Sequence, residues 1–247
     1  MRDFPTPASP PYFDGRAAKS VERSTLVLKT SRPQKHVPRR IIESEADIRA
    51  DVTALRKVCP RMKRVHGLVG DPPLRRHEAG FIGLAKVVVG QQLSIASASA
   101  IWKRTAVVVD PFDAPTLLAL DDAPLRAAGL SRGKMRTLRA VAEALASGAL
   151  DFDARVSAEE LREALLAITG IGPWTADIYT MFCLGDADGF ASGDLALQIA
   201  VQRVFELDAR PSARELEEMA ERWRPWRGVA ARLLWSFYAH RDPVPGG

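Results

Sequence analysis

A chain of 247 residues with 47% hydrophobic content can bury a core and has room for one or two domains. It holds no run of about 18 uncharged apolar residues, so no membrane-spanning helix is expected. Its start, MRDFPTPASPPYFDGR, lacks the apolar stretch of a secretory signal, and two cysteines, Cys59 and Cys183, make neither a disulfide framework nor a metal cluster. The expected setting is reduced and intracellular: cytoplasmic, or nuclear in a eukaryotic cell. The formal charge of +5 is unevenly placed. Residues 1–40 hold nine Lys/Arg against three Asp/Glu, which leaves 26 basic and 27 acidic residues in 41–247.

Residues 1–40 also carry six prolines and little apolar periodicity, which predicts a basic, disordered extension. A solvated tail and an electrostatic aid to holding nucleic acid are both compatible with it. Within it STLVLKT has the look of a short strand. From Ser44 the period turns helical, with Ile48, Val52, Leu55 and Val58 on one face and Ser44/Asp47 as a capping pair. VGDPPLRRHEAG (69–80) interrupts the helices. FIGLAKVVVGQQLSIASASAIWKRTAVVV reads as two helices broken at GQQLS, with TAVVVD strand-like at its end. DAPTLLAL, DDAPLRAAG, SRGKMRTLRAVAEALASG and SAEELREALLAITG follow, each opened by Asp or Ser; Ser157 and Glu160 make a second capping pair. Two further helices fill 195–206 and 212–240, with a break near Pro225. No strand–helix alternation is present, so the predicted body, residues 41–247, is all-α.

Chemistry concentrates at LLAITGIGPWTADIYTMF (165–182). Gly170 and Gly172 permit positive φ and close approach, and Pro173 suits the first position of a helix. Free amides at such a helix start, helped by the helix dipole, make an anion site, to which Thr175 adds a hydroxyl. On Gly-x-Gly alone, an ordinary helical hairpin with a glycine cap is the better reading. Beyond it, LGDADGFASGDLALQIA places Asp194 after a Gly-rich loop and at the head of a helix, where it suits an N-cap as well as a catalytic carboxylate.

The spacing L-x-x-I-x-G-I-G-x-x-T-A, with the Gly-rich loop and Asp194, resembles the helix–hairpin–helix DNA glycosylases, the HhH-GPD superfamily. VVVGQQLSIASASAIW, GLSRGKMRTLRAVAEAL and AERWRPWRGVAARLLW extend the match over roughly residues 70–240. The alkylation-repair branch, 3-methyladenine-DNA glycosylase II, is the most similar. The resemblance implies a two-lobed helical fold with the active site in the cleft between the lobes. It implies a monomer that acts on double-stranded DNA, flips out alkylated purines and hydrolyses their N-glycosidic bond. Asp194 is then the catalytic carboxylate, and Trp174, Trp235 and Ile178 are walls of the base pocket. Gly170, Gly172 and Thr175 grip a phosphate. Gln92 plugs the gap left by the flipped base, with Gln91 and Ser94 facing the same groove. No cofactor is required, though carbonyls of Leu166, Ile168 and Ile171 correspond to a Na+ or K+ site in relatives.

Three departures bear on these expectations. The loop lacks the usual proline, Ser192-Gly193 preceding Asp194. Trp174 stands where the strand-cutting branches carry a lysine. Ile178 replaces an aromatic of the bacterial alkylation enzyme. Trp223 and Trp226 read as packing residues, and Asp186 and Asp188 as solvated loop acids. A non-catalytic helix–hairpin–helix DNA-binding protein would need the hairpin but neither Asp194 nor a pocket; a glycosylase for another damaged or mismatched base is the nearer alternative.

Overall fold

The computed structural model describes residues 40–152 and 158–240, all within a compact unit spanning Pro38–Gly247. Residues 1–39 of the basic extension, with the strand-like STLVLKT, and the cap Ser157 lie outside the described residues. Twelve α-helices occupy the described residues, with no strand; the one β-bridge pairs Ile41 with Asp186.

Helices α1 (Glu45–Val58) and α2 (Pro60–Val69) open the unit. Ser44 and Asp47 cap α1 reciprocally: the Ser44 hydroxyl accepts the Asp47 N–H, and the Asp47 carboxylate accepts the Ser44 N–H at 2.9 Å. Ile48, Val52 and Leu55 are buried as expected. Val58 is not; it is 52% exposed, because α1 ends there and the chain turns at Cys59 into Pro60, the first residue of α2. After the 70–79 crossing come α3 (Gly80–Gly90), α4 (Ile95–Val108), α5 (Ala114–Ala119), α6 (Asp122–Ala127) and α7 (Arg132–Ala146). Asp113 and Ser131 cap α5 and α7 through their side chains. TAVVVD is no strand. Its first four residues complete α4, where the Thr105 hydroxyl donates to the Ile101 carbonyl and Thr105 and Val109 bury at helical spacing, so tertiary packing overrides the β-branched preference.

The remaining helices are α8 (Ala158–Leu166), α9 (Pro173–Phe182), α10 (Leu195–Phe205), α11 (Ala213–Ala220) and α12 (Arg227–Ala239). A 3-10 turn, Glu221–Trp223, and Pro225 make the expected break before α12. Trp223 is fully buried against Phe190 and Phe205 and is the packing residue its context suggested.

Two hydrophobic cores result. One gathers α1, α2, α10, α11 and α12; the other gathers α3 to α8. Helix α9 belongs to both. Tyr179 and Ala176 enter the second core, Met181 and Phe182 the first, and Trp174 and Ile178 pack against each. The chain thus leaves the first lobe at 70–79 and returns through α9, and the two crossings touch: the Gly80 N–H donates to Tyr179 Oη at 2.9 Å and the His77 N–H to the Phe182 carbonyl at 2.9 Å.

The Gly-rich loop after α9 is pinned from two sides. Ile42 N–H donates to the Gly185 carbonyl at 2.8 Å and Ala187 N–H to the Arg40 carbonyl at 3.0 Å; Gly228 N–H donates to the Ala187 carbonyl at 2.8 Å. Asp188 is not a solvated acid. Its carboxylate pairs with Arg224 and with the largely buried Arg227 (3.1 Å), and its carbonyl accepts from Arg227 Nε at 3.0 Å. Asp186 is half-buried, and its carboxylate accepts the Asp188 N–H at 2.9 Å. Arg40, expected in the loose extension, instead pairs with the buried Asp51.

Removing the Asp188 carboxylate strips Arg227 of one anchor while Glu217 and Glu221 remain. Asp188→Ala should therefore lower unfolding free energy by about 1–3 kcal/mol in urea denaturation.

Candidate active site

Asp194 is the N-cap of α10, and its carboxylate is crowded with donors. Oδ1 accepts the Leu197 N–H and the Trp235 indole N–H, each at 3.0 Å. Oδ2 accepts the Trp174 indole N–H at 2.8 Å. The cap thus takes one position on Oδ1, and the carboxylate accepts two further donors beyond it. Three helices meet here: α9 supplies Trp174, α12 supplies Trp235 and α10 supplies the cap. A carboxylate offers about four in-plane acceptor positions, of which three are used. The one left is on Oδ2, and Asp194 is half-buried, so the unused position is within reach of a ligand.

Both tryptophans thus contact Asp194 through their N–H groups, a contact distinct from the stacking expected of them. Ile178 lies one turn after Trp174 on the same face of α9, and Phe182 one turn further. Nothing in the sequence marks Phe182. Its ring centroid lies 5.6 Å from that of Trp235 at 34°, which returns an aromatic to the face that Ile178 leaves aliphatic. Behind it, Arg232 is buried with its guanidinium 4.8 Å over the Phe182 ring. It donates to the carbonyls of Gly228 (2.9 Å), Met181 (3.0 Å) and Leu74 (3.4 Å), joining α12, α9 and the 70–79 crossing. Burial, with Arg76 and Arg75 nearby, pulls its pKa down to about 10, so it stays cationic at neutral pH. The crevice between Phe182, Arg232, Trp235, Pro73, Arg75 and Ser236 is about 10 Å³, room for about one water and not for a purine.

The hairpin joins α8 to α9. Arg162 on α8 donates to Asp177 on α9 at 3.0 Å, and burial raises the Asp177 pKa against the pull of that pair. In the turn, Ile171 N–H is taken by the Ile168 carbonyl at 3.0 Å, whereas the amides of Gly170 and Gly172 have no acceptor among the described residues. Gly170 uses the freedom of glycine (φ +89). Gly172 does not; its φ of −98 is open to any residue. Thr175 departs from expectation: it is buried, and its hydroxyl accepts from Gln91 Nε2 at 2.8 Å instead of facing a phosphate. Gln91 also reaches the Gly170 carbonyl at 3.5 Å, so the pair ties the 91–94 turn to the hairpin. Gln92 is exposed in the left-handed region (φ 56), at the tip of that turn. Ser94 is exposed and caps α4, accepting the Ser97 N–H at 3.2 Å.

The match to the family model of the HhH-GPD superfamily base excision DNA repair proteins spans residues 85–225. This chain belongs to that superfamily. It is 32% identical over 182 residues to DNA-3-methyladenine glycosylase 1 of Schizosaccharomyces pombe, covering 70% of this chain and 80% of the relative. It is 31% identical over 216 residues to a probable bifunctional transcriptional activator/DNA repair enzyme AlkA of Mycobacterium tuberculosis, covering 82% of this chain but 42% of that protein. The chain thus spans less than half the length of the mycobacterial relative. Among solved structures, the S. pombe 3-methyladenine DNA glycosylase Mag1 in complex with abasic DNA superposes with a TM-score of 0.73 at 27% identity, covering 79% of this chain and 99% of that one. A DNA-3-methyladenine glycosidase from Bacillus halodurans gives 0.66 at 30% identity, covering 82% and 93%.

The two hairpin glycines should separate in a stability measurement. A Cβ on Gly170 would meet Thr137 Oγ1 at 1.9 Å and would be forced into positive φ, so Gly170→Ala should cost about 1–3 kcal/mol. A Cβ on Gly172 meets nothing within 4 Å, so Gly172→Ala should leave the thermal midpoint unchanged.

Proposed function

We propose that this protein is a monofunctional DNA glycosylase of base excision repair that hydrolyses the N-glycosidic bond of alkylated purines of the 3-methyladenine type, flipped out of duplex DNA. The observation that carries the reading is Asp194, held at the head of α10 by two indole N–H groups and a backbone amide, with an unused acceptor position on Oδ2. Cleavage of the glycosidic bond builds positive charge on the sugar, and a carboxylate fixed beforehand stabilises that charge without reorganising. The same oxygen can orient the attacking water. The free amides of Gly170 and Gly172 hold a backbone phosphate and set the register of the strand, without reading its sequence. Gln92, at the tip of its turn, fills the gap in the stack. A monovalent cation on carbonyls of Leu166, Ile168 and Ile171 belongs to the same reading; the Ile168 oxygen accepts the Ile171 N–H and keeps one lone pair for it. The relatives named for 3-methyladenine support the substrate class.

The absence of strand-cutting chemistry follows from Trp174. A Schiff base needs an amine beside the sugar, and this slot presents an indole whose N–H is spent on Asp194. Two other lysines are engaged elsewhere: Lys134 Nζ donates to the Val89 carbonyl at 2.7 Å, and Lys86 Nζ lies 5.2 Å from the Trp102 ring. The reading implies an abasic product in an uncut strand and a protein that acts as a monomer.

Methylated duplex DNA and identification of the released base test this. Asp194→Asn should lower the single-turnover rate by about 10²-fold or more while duplex binding survives. Borohydride should trap no covalent complex. A catalytically intact Asp194→Asn would overturn the mechanism, and a lysine-dependent trapped adduct would place the protein among the lyases.

The indole clamp has its own signature. Trp235→Phe keeps an aromatic ring against Phe182 but removes the N–H to Oδ1. Losing one hydrogen bond to a carboxylate should lower kcat by about 10–100-fold. KM for DNA should change little, a split that separates positioning of Asp194 from stacking on the base.

A further inference from the structure

The stretch SRGKMR puts three cations into the first turns of α7, and the structure gives them different tasks. Lys134 is committed to the Val89 carbonyl, at the foot of the 91–94 turn. One turn beyond the stretch, Arg139 is committed to the carbonyls of Leu117 and Leu120, which end α5, and to Asp122 at 3.0 Å. Arg132 and Arg136 have no ion pair or hydrogen bond among the described residues, and both are exposed. They stand four residues apart on one face, where like charges cost a helix about 0.2–0.5 kcal/mol. No described carboxylate forms an ion pair with either of them.

Their place in the fold supplies the reason. Helix α7 is the floor under the hairpin, because Gly170 sits directly against Thr137, one residue after Arg136. Arg132 and Arg136 line an open groove of about 390 Å³ with Thr169, the exposed residue that precedes Gly170 in the hairpin turn. Of the acids in this groove, Asp122 is held by Arg139, and Glu143 lies two turns beyond Arg136 on α7. The unpaired positive end of the groove is therefore the end beside the hairpin.

The geometry points to a second backbone-phosphate subsite, formed by Arg132 and Arg136, for the phosphate adjoining the one held by the hairpin amides. The inference rests on the reading of this protein as a DNA-binding glycosylase. Guanidinium groups present paired N–H donors that match two phosphate oxygens, and two of them bracketing one groove suit a phosphodiester better than a neutral ligand. The subsite extends the grip from one point to a line, which fixes the direction of the strand relative to Asp194. A single phosphate contact leaves the strand free to pivot about it.

The test is the salt dependence of binding to an undamaged duplex, with base release from methylated duplex measured in parallel. For Arg132→Ala/Arg136→Ala, the plot of log affinity against log salt should be less steep by about 0.9, the loss of one phosphate contact. Affinity at 0.1 M salt should fall by about 10-fold. The thermal midpoint should be unchanged, the single-turnover rate at saturating DNA should fall because the bound strand can pivot, and Arg132→Lys/Arg136→Lys should retain most of the slope and of the rate. An unchanged slope in the double alanine variant overturns the subsite while leaving the glycosylase reading intact. An unaltered protein that neither binds duplex at low salt nor releases a base overturns both.

Discussion

The hydrogen bonds that converge on the Asp194 carboxylate are the constraint on which the rest of the structure depends. A carboxylate at a helix start already has one natural donor, the amide three residues on, and here that is Leu197. The two further donors are indole N–H groups on helices distant in sequence, Trp174 on α9 and Trp235 on α12. An indole N–H donates along one line from a rigid ring, so each tryptophan fixes direction as well as distance. The side chain that would otherwise rotate about two bonds is held from both oxygens, and three helices must keep their relative positions for the clamp to exist.

That requirement explains why α9 belongs to both cores. A helix packed in only one lobe would let Trp174 drift relative to α12 whenever the lobes shift. With Tyr179 in one core and Met181 in the other, α9 acts as the shared beam. Arg232 braces the same joint from α12 by taking carbonyls of α9 and of the 70–79 crossing. A buried cation is costly unless its donors are satisfied, and three carbonyls with the Phe182 face meet that need. The Gly-rich loop is held likewise by Arg40–Ile42 on one side and by Arg227 and Gly228 on the other, so Asp194 starts from a fixed point although the loop has no regular structure.

What could be read beforehand was what short-range chemistry decides. Ser44 with Asp47, Ser131, Asp113 and the Pro173 helix start are local patterns, and they appear where their spacing placed them. The hairpin turn and the Asp194 cap were legible because glycine spacing and a cap are properties of adjacent residues. Partners distant in sequence were not legible. Asp188 read as a loop acid because Arg224 and Arg227 are almost forty residues away, and Thr175 read as a phosphate ligand because Gln91 is more than eighty residues back. Arg232 and Phe182 gave no signal, since an arginine in an apolar helix and a phenylalanine at its end are common. TAVVVD misled because β-branched propensity is weak beside a cap at Ser94 and burial at helical spacing.

The tryptophan at position 174 joins these strands into one argument about chemistry. In the family pattern to which the sequence is similar, an amine at this slot would become a nucleophile beside the sugar. An indole cannot add to a carbon in that way, yet it keeps an N–H at the same place and turns it on the carboxylate. On the proposed reading, this one residue both removes covalent chemistry and reinforces electrostatic chemistry. A carboxylate that does the stabilising with no covalent partner gains more from being held still, because its benefit depends on the field it presents at one point in space. Trp235 completes that hold from the other side. On the proposed reading, the aromatic character of the site serves the immobility of Asp194 as much as it serves the base, which is why both tryptophans present their N–H groups, and not only their faces, to the centre of the site.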